Sequence, residues 1–92
     1  MGREKVLFKS EEKKSVTEVC AMLRQMADKI EQGHMTLSQG GNEIVLDFPR
    51  SMVLEIKVED ETKKRKGTKR SLEIELEWYP DAQDEDTSVT IG

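Results

Sequence analysis

Aromatic residues make up only 4% of this chain, cysteine occurs once and proline twice. A single cysteine, Cys20, excludes an intramolecular disulfide and any metal site built on several cysteines, and a reducing compartment is its simplest home. A single histidine means that a catalytic or metal-binding imidazole must be His34 or be absent. Long apolar runs are also missing. Nothing approaches the roughly 20 residues of a membrane span, and the charged N-terminus, with only Val6 to Phe8 behind it, does not read as a secretory leader. The expected location is cytoplasmic, with no membrane partner. Gly40-Gly41 stands without a G-x-G-x-x-G or G-K-[ST] context, so it reads as a turn and not as a phosphate cradle.

Charge, by contrast, is abundant: charged residues are 37% of the chain, apolar residues 35%, and the net charge is −4. That balance leans toward disorder. The apolar residues, however, are gathered into periodic segments between Val6 and Trp78, which marks a folded domain with a charged surface. Ninety-two residues is the size of one domain with a modest core.

Lys5 to Lys9 is a short strand candidate, and the charged Ser10 to Lys14 stretch that follows cannot continue it in a core. Ser15-Val-Thr-Glu18 has capping-box spacing: the Ser15 hydroxyl accepts from the Glu18 amide, and the Glu18 carboxylate reaches back to the Ser15 amide. Behind it, Val16, Val19, Cys20, Leu23, Met26, Ala27 and Ile30 recur at three- and four-residue steps, the stripe of an amphipathic helix. Gly33 suits its left-handed end.

From Met35 the period becomes two. Met35 and Leu37 alternate, Gln39-Gly-Gly-Asn42 supplies a turn, and Ile44, Leu46 and Phe48 resume the alternation. After Pro49-Arg-Ser51, Met52, Leu54, Ile56 and Val58 define a third alternating segment. The charged stretch from Asp60 to Arg70 reads as a connection, and Leu72, Ile74, Leu76 and Trp78 define a fourth. Each strand has one apolar and one charged face, the pattern of an antiparallel sheet wet on one side. The expected fold is α+β: one amphipathic helix packed on an antiparallel sheet of four or five strands, within a single domain over residues 1–80. Residues 81–92 read as a flexible acidic tail.

In this order of elements the chain resembles the amphi-Trp domain family, small prokaryotic proteins named for an amphipathic strand ending in tryptophan. The residues that carry the resemblance are Lys5-Val-Leu-Phe8, the helix through Ala27-Asp-Lys-Ile30, Leu37-Ser38 and Leu72-Glu-Ile-Glu-Leu-Glu-Trp78. It extends from about Lys5 to Trp78 and implies a compact module of bacteria or archaea. It implies no activity and no set of functional residues. The basic Lys63-Lys-Arg-Lys66 segment lies outside the family pattern.

No residue set points to catalysis. Cys20 sits on the apolar stripe, where a thiol behaves as a small hydrophobe, and pairing it with His34 would require it to leave that stripe. Glu55, Glu59, Glu73, Glu75 and Glu77 belong to a wet sheet face, which keeps a sheet soluble but provides no cleft to separate two carboxyl pKa values. No zinc or calcium ligand spacing occurs, so no metal or other cofactor is expected. The one anomaly in charge patterning is Lys63, Lys64, Arg65, Lys66, Lys69 and Arg70. Such a tip could grip phosphates, though it has no aromatic residues for base stacking. The leading expectation is a non-enzymatic binding or assembly module of unknown ligand and protein partner, for which self-association into a homodimer through a free strand edge is the least demanding form. The alternative is a nucleic-acid-associated accessory protein contacting phosphates through residues 63–70.

Overall fold

The computed structural model describes residues 2–81, which form one helix and four strands in the order α1 (Val16–Gln32), β1 (His34–Gln39), β2 (Asn42–Asp47), β3 (Val53–Lys63) and β4 (Gly67–Glu77). The acidic tail read from the sequence lies, beyond Asp81, outside the described residues. The chain divides into two compact units, Met1–Phe48 and Pro49–Gly92.

In the first unit α1 begins and ends where the local chemistry requires. The Glu18 amide donates to Ser15 Oγ at 3.1 Å, and the Ser15 amide donates to Glu18 Oε1 at 3.2 Å, satisfying two of the N–H groups that a helix start leaves open. At the other end Gly33 adopts φ 98°, and its amide donates to the carbonyls of Lys29 and Ile30, both at 3.0 Å. Glycine takes that left-handed conformation without a Cβ penalty. The Gly33 carbonyl then accepts from the Phe48 amide at 2.8 Å, tying the helix end to the residue that follows β2.

β1 and β2 form an antiparallel hairpin with Met35 opposite Leu46 and Leu37 opposite Ile44. Gly40 and Gly41 make its two-residue connection, and Gly40 carries the positive φ, 59°, that such a primed turn needs at its first central position. Helix α1 contacts β1. Met35, 4% exposed, is the buried apolar centre of this unit, and Cys20, Met26, Ile30, Leu37, Ile44, Leu46 and Phe48 are half-buried. Val16, Val19 and Leu23, members of the same helical stripe, remain exposed.

The second unit is the β3–β4 hairpin, eleven residues on each strand, in register from Val53 opposite Glu77 to Lys63 opposite Gly67. Lys64, Arg65 and Lys66 form its three-residue connection, and Gly67 follows at φ 83°. This is the usual form of a three-residue hairpin loop, a turn closed by a left-handed residue.

Three expectations are corrected. The strands form two separate two-stranded sheets, β1-β2 and β3-β4, not one sheet of four or five strands. Lys5 to Lys9 is not a strand: Val6 and Leu7 are exposed, and three apolar residues between lysines find no ladder partner among the described residues. The stretch from Asp60 to Arg70 is not a loop except at Lys64 to Lys66, because opposed charges extend the ladder: Asp60 faces Arg70 and Glu61 faces Lys69. Cross-strand pairs of opposite charge favour strand pairing where apolar alternation has ended.

Candidate functional site

Strand alternation gives the β3–β4 hairpin two chemically distinct faces. On one, three apolar pairs stand directly opposite each other: Leu54 with Leu76, Ile56 with Ile74, and Val58 with Leu72. Leu54, Ile56, Val58, Leu72 and Ile74 are all more than half exposed, with Val58 at 66%. Leu76 and Trp78 are half-buried, whereas Tyr79 is 85% exposed. The apolar rows end at Asp60 and Arg70. There the Arg70 guanidinium donates from Nε to Asp60 Oδ1 at 2.8 Å and from Nη2 to Oδ2 at 3.0 Å. The guanidinium holds the Asp60 carboxyl below its ordinary pKa.

On the other face the charges are sorted along the strands. Near the open end Glu55 faces Glu75, and the carboxylate oxygens of Glu55, Glu75 and Glu77 lie within 4.8 Å of one another. The Glu75 carboxyl is raised above its ordinary pKa by a hydrogen bond with Glu77 and by that group's charge. Midway, Lys57 faces Glu73 and bridges to Glu59 at 3.2 Å. Glu59 and then Glu73 and Glu55 raise the lysine's pKa. Toward the turn the sign reverses, with Lys69 opposite Glu61 and Lys63 at the end of β3. Thus the acidic half of β4 comes last in sequence and the basic half first.

The six basic residues singled out by the sequence are brought to one end of the hairpin, but not onto one surface. Lys63, Lys66 and Lys69 line an open depression of about 260 Å³ together with Gly67 and Thr68. Lys64 and Arg65 lie in the turn, and Arg70 belongs to the apolar face, occupied by Asp60. Lys63 is itself paired with Glu61 at 3.4 Å. Lys64, Arg65, Lys66 and Lys69 carry no ion pair among the described residues.

Cys20 is half-buried on α1, and His34 is the exposed first residue of β1, opposite Asp47. The three carboxylates of Glu55, Glu75 and Glu77 are exposed, and their nearness acts on Glu75, whose pKa Glu77 raises. The feature that alternation alone did not disclose is the register, which puts glutamate opposite glutamate and apolar opposite apolar. Its signal was the equal chain distance on either side of Arg65.

The Amphi-Trp domain family matches residues 1–92, the whole chain. No curated protein and no solved structure matches it. Among the described residues no helix is long and apolar enough to cross a membrane.

Proposed function

This chain belongs to the Amphi-Trp domain family, and we propose that it works as a non-enzymatic assembly module whose partner is a second copy of itself, joined at the β3–β4 hairpin. The observation that carries this reading is the exposed apolar face of Leu54, Ile56, Val58, Leu72 and Ile74 on a two-stranded sheet. A two-stranded hairpin is marginally stable in water, and three or more strands, or a covering element, are needed for independence. Keeping five such side chains more than half exposed forgoes on the order of 5 kcal/mol of apolar burial. Closed two-fold dimers are the commonest solution for an unfinished surface. A reducing, cytoplasmic setting fits the lone, half-buried Cys20.

The test is sedimentation equilibrium over a wide concentration range, with wild type beside Ile56→Glu. A dimer at micromolar concentration that the substitution weakens supports the reading. A monomer throughout, with Ile56→Glu unchanged in state, removes it.

A second reading rests on the depression between Lys63, Lys66 and Lys69. In it the chain is a nucleic-acid-associated accessory protein whose hairpin tip contacts phosphates. Lys64, Arg65, Lys66 and Lys69 supply the attraction, without sequence preference, because no aromatic side chain stands in the turn to stack on a base.

A further inference from the structure

We infer that the second copy docks along the outer edge of β4, antiparallel to its own equivalent, with Leu72 on the two-fold axis. This rests on the self-association proposed above and specifies its edge and register.

β4 runs from Gly67 to Glu77, so its midpoint is Leu72. Laid antiparallel on itself over its full length, it places Leu72 opposite Leu72, Ser71 opposite Glu73, Lys69 opposite Glu75, and Gly67 opposite Glu77. Every charged residue on the polar face thereby meets an opposite charge or a neutral residue. The segregation of charge along β4, basic near the turn and acidic toward Glu77, is what makes the strand self-complementary. On the other face Val58, Leu72, Leu72 and Val58 form one apolar row across four strands, because Val58 already faces Leu72 within each hairpin.

Competing arrangements fare worse. Sliding the β4 pair so that Glu73 becomes central sets Glu73 against Glu73. Centring it on Ser71 runs the last residues of β4 past the paired strand into the turn, whereas the Leu72-centred pairing uses the whole strand. A one-residue slip would exchange the faces and put leucine against glutamate. The edge of β3, paired on itself about Val58, opposes Glu55 to Glu61 twice, and like charges directly opposite are unfavourable.

The pairing also bears on two features of the single hairpin. Glu75 carries a carboxyl raised by Glu77 and placed opposite Glu55, which Lys57 offsets only in part, and a lysine from the second copy adds a countercharge there. A two-stranded sheet becomes four-stranded, and two narrow apolar faces merge into one.

The decisive experiment uses complementary variants of the full chain. In Lys69→Glu each copy presents two acidic residues to the other, and in Glu75→Lys two basic ones. Each variant alone should show a dimer dissociation constant raised about tenfold, from two cross-strand pairs turned from attraction to repulsion. Mixed in equal amounts, the two should recover wild-type association, because each pair is again of opposite sign. Lys57→Glu and Glu59→Lys make the same changes in net charge on β3, and their mixture should gain nothing. Independently, Leu72→Cys in a Cys20→Ser background should form a disulfide-linked dimer with oxidised glutathione, since directly opposed residues lie within disulfide reach. Leu76→Cys, far from its own mate in this register, should not. A wild-type dimer with no preferential pairing in the mixture and no Leu72→Cys cross-link would overturn the β4 register while leaving self-association standing. A wild-type chain that stays monomeric would overturn both. Should Leu72→Cys fail to fold, the surface-charge mixture still decides.

Discussion

Arg70 stands directly across the ladder from Asp60 and holds it with two parallel hydrogen bonds of 2.8 and 3.0 Å. That pair terminates the apolar rows of the β3–β4 hairpin and withdraws one of six basic residues from its tip. The fork geometry of guanidinium on carboxylate is the strongest form of such a contact, and it keeps two charged strand residues in register. Asp60→Asn should therefore fray the hairpin near its turn. Because Arg70 lowers the Asp60 pKa, the pair's contribution is present above the ordinary aspartate pKa and fades as pH falls through the lowered value. Amide exchange at residues 60–63 and 67–70 that is the same in wild type and Asp60→Asn at neutral pH would contradict this.

Met35 and Leu23 should respond very differently to truncation. Met35 is 4% exposed, whereas Leu23, central to the helical stripe in sequence, is 48% exposed. Met35→Ala should cost about 2–5 kcal/mol, the range for a large-to-small change in a closed site. Leu23→Ala should cost about 1 kcal/mol, since a half-exposed side chain loses only part of its transfer free energy. Denaturant midpoints of the two variants compare them directly, and an equal loss would mean that Leu23 is covered in solution.

Much of the first unit was legible because its signals are local. The Ser15–Glu18 box, Gly33 and Gly40-Gly41 each act within four residues, and each is found doing what its chemistry suggests. Alternation correctly placed Leu54, Ile56 and Val58 on one face and Glu55, Lys57 and Glu59 on the other. What alternation could not read was pairing. The stretch from Asp60 to Arg70 has no apolar period, so its strands are visible only when Asp60 is set against Arg70 and Glu61 against Lys69. The basic set read as one patch is divided for the same reason, since Lys69 and Arg70 are neighbours in sequence and opposite in face.

Helix α1 gives a clean test of its cap. Ser15→Ala removes the acceptor for the Glu18 amide and should cost about 1 kcal/mol. The Glu18 carboxyl is held below its ordinary pKa, first by the Ser15 amide and then by the Ser15 side chain. Its contribution is hence present above the ordinary glutamate pKa and is lost as pH falls through the lowered value. Loss of helicity on acidification should set in at lower pH for wild type than for Ser15→Ala. Coincident acid profiles would place the helix start elsewhere.

Glu75 and Glu77 set up the opposite pH dependence on the second hairpin. A raised carboxyl pKa means that the folded ladder favours the protonated form, so at neutral pH this charge opposes folding. The opposition disappears as pH falls through the raised value. Glu77→Gln should stabilise the chain at neutral pH and lose its advantage as pH falls through the raised value toward the ordinary glutamate pKa. A thermal midpoint for Glu77→Gln at or below wild type at neutral pH would show that the two carboxylates do not repel in solution.

The hairpin tip decides between the two proposed functions through salt. Electrostatic binding to nucleic acid releases counterions, and log affinity falls with log salt concentration by roughly 0.7–0.9 for each phosphate neutralised. Six basic residues would give a steep dependence, but Arg70 is held by Asp60 and Lys63 is shared with Glu61. If Lys69 is also engaged across a dimer edge, only Lys64, Arg65 and Lys66 are left for a phosphate backbone. Any binding to a random duplex should then show a slope of about 2–3, three contacts at the stated increment. Changing Lys64, Arg65 and Lys66 to serine should abolish it without altering the dimer, because the turn lies outside the β4 edge. The Lys69→Glu variant separates the readings further. A dimer held by β4 loses association and keeps most of its weak duplex binding, whereas a phosphate-gripping depression loses duplex binding and keeps its oligomeric state. Fluorescence anisotropy and sedimentation on the same samples read both quantities. A slope steeper than 4 that collapses with Lys69→Glu, in a chain that sediments as a monomer, would make the tip the functional surface and the β4 edge a solvated strand.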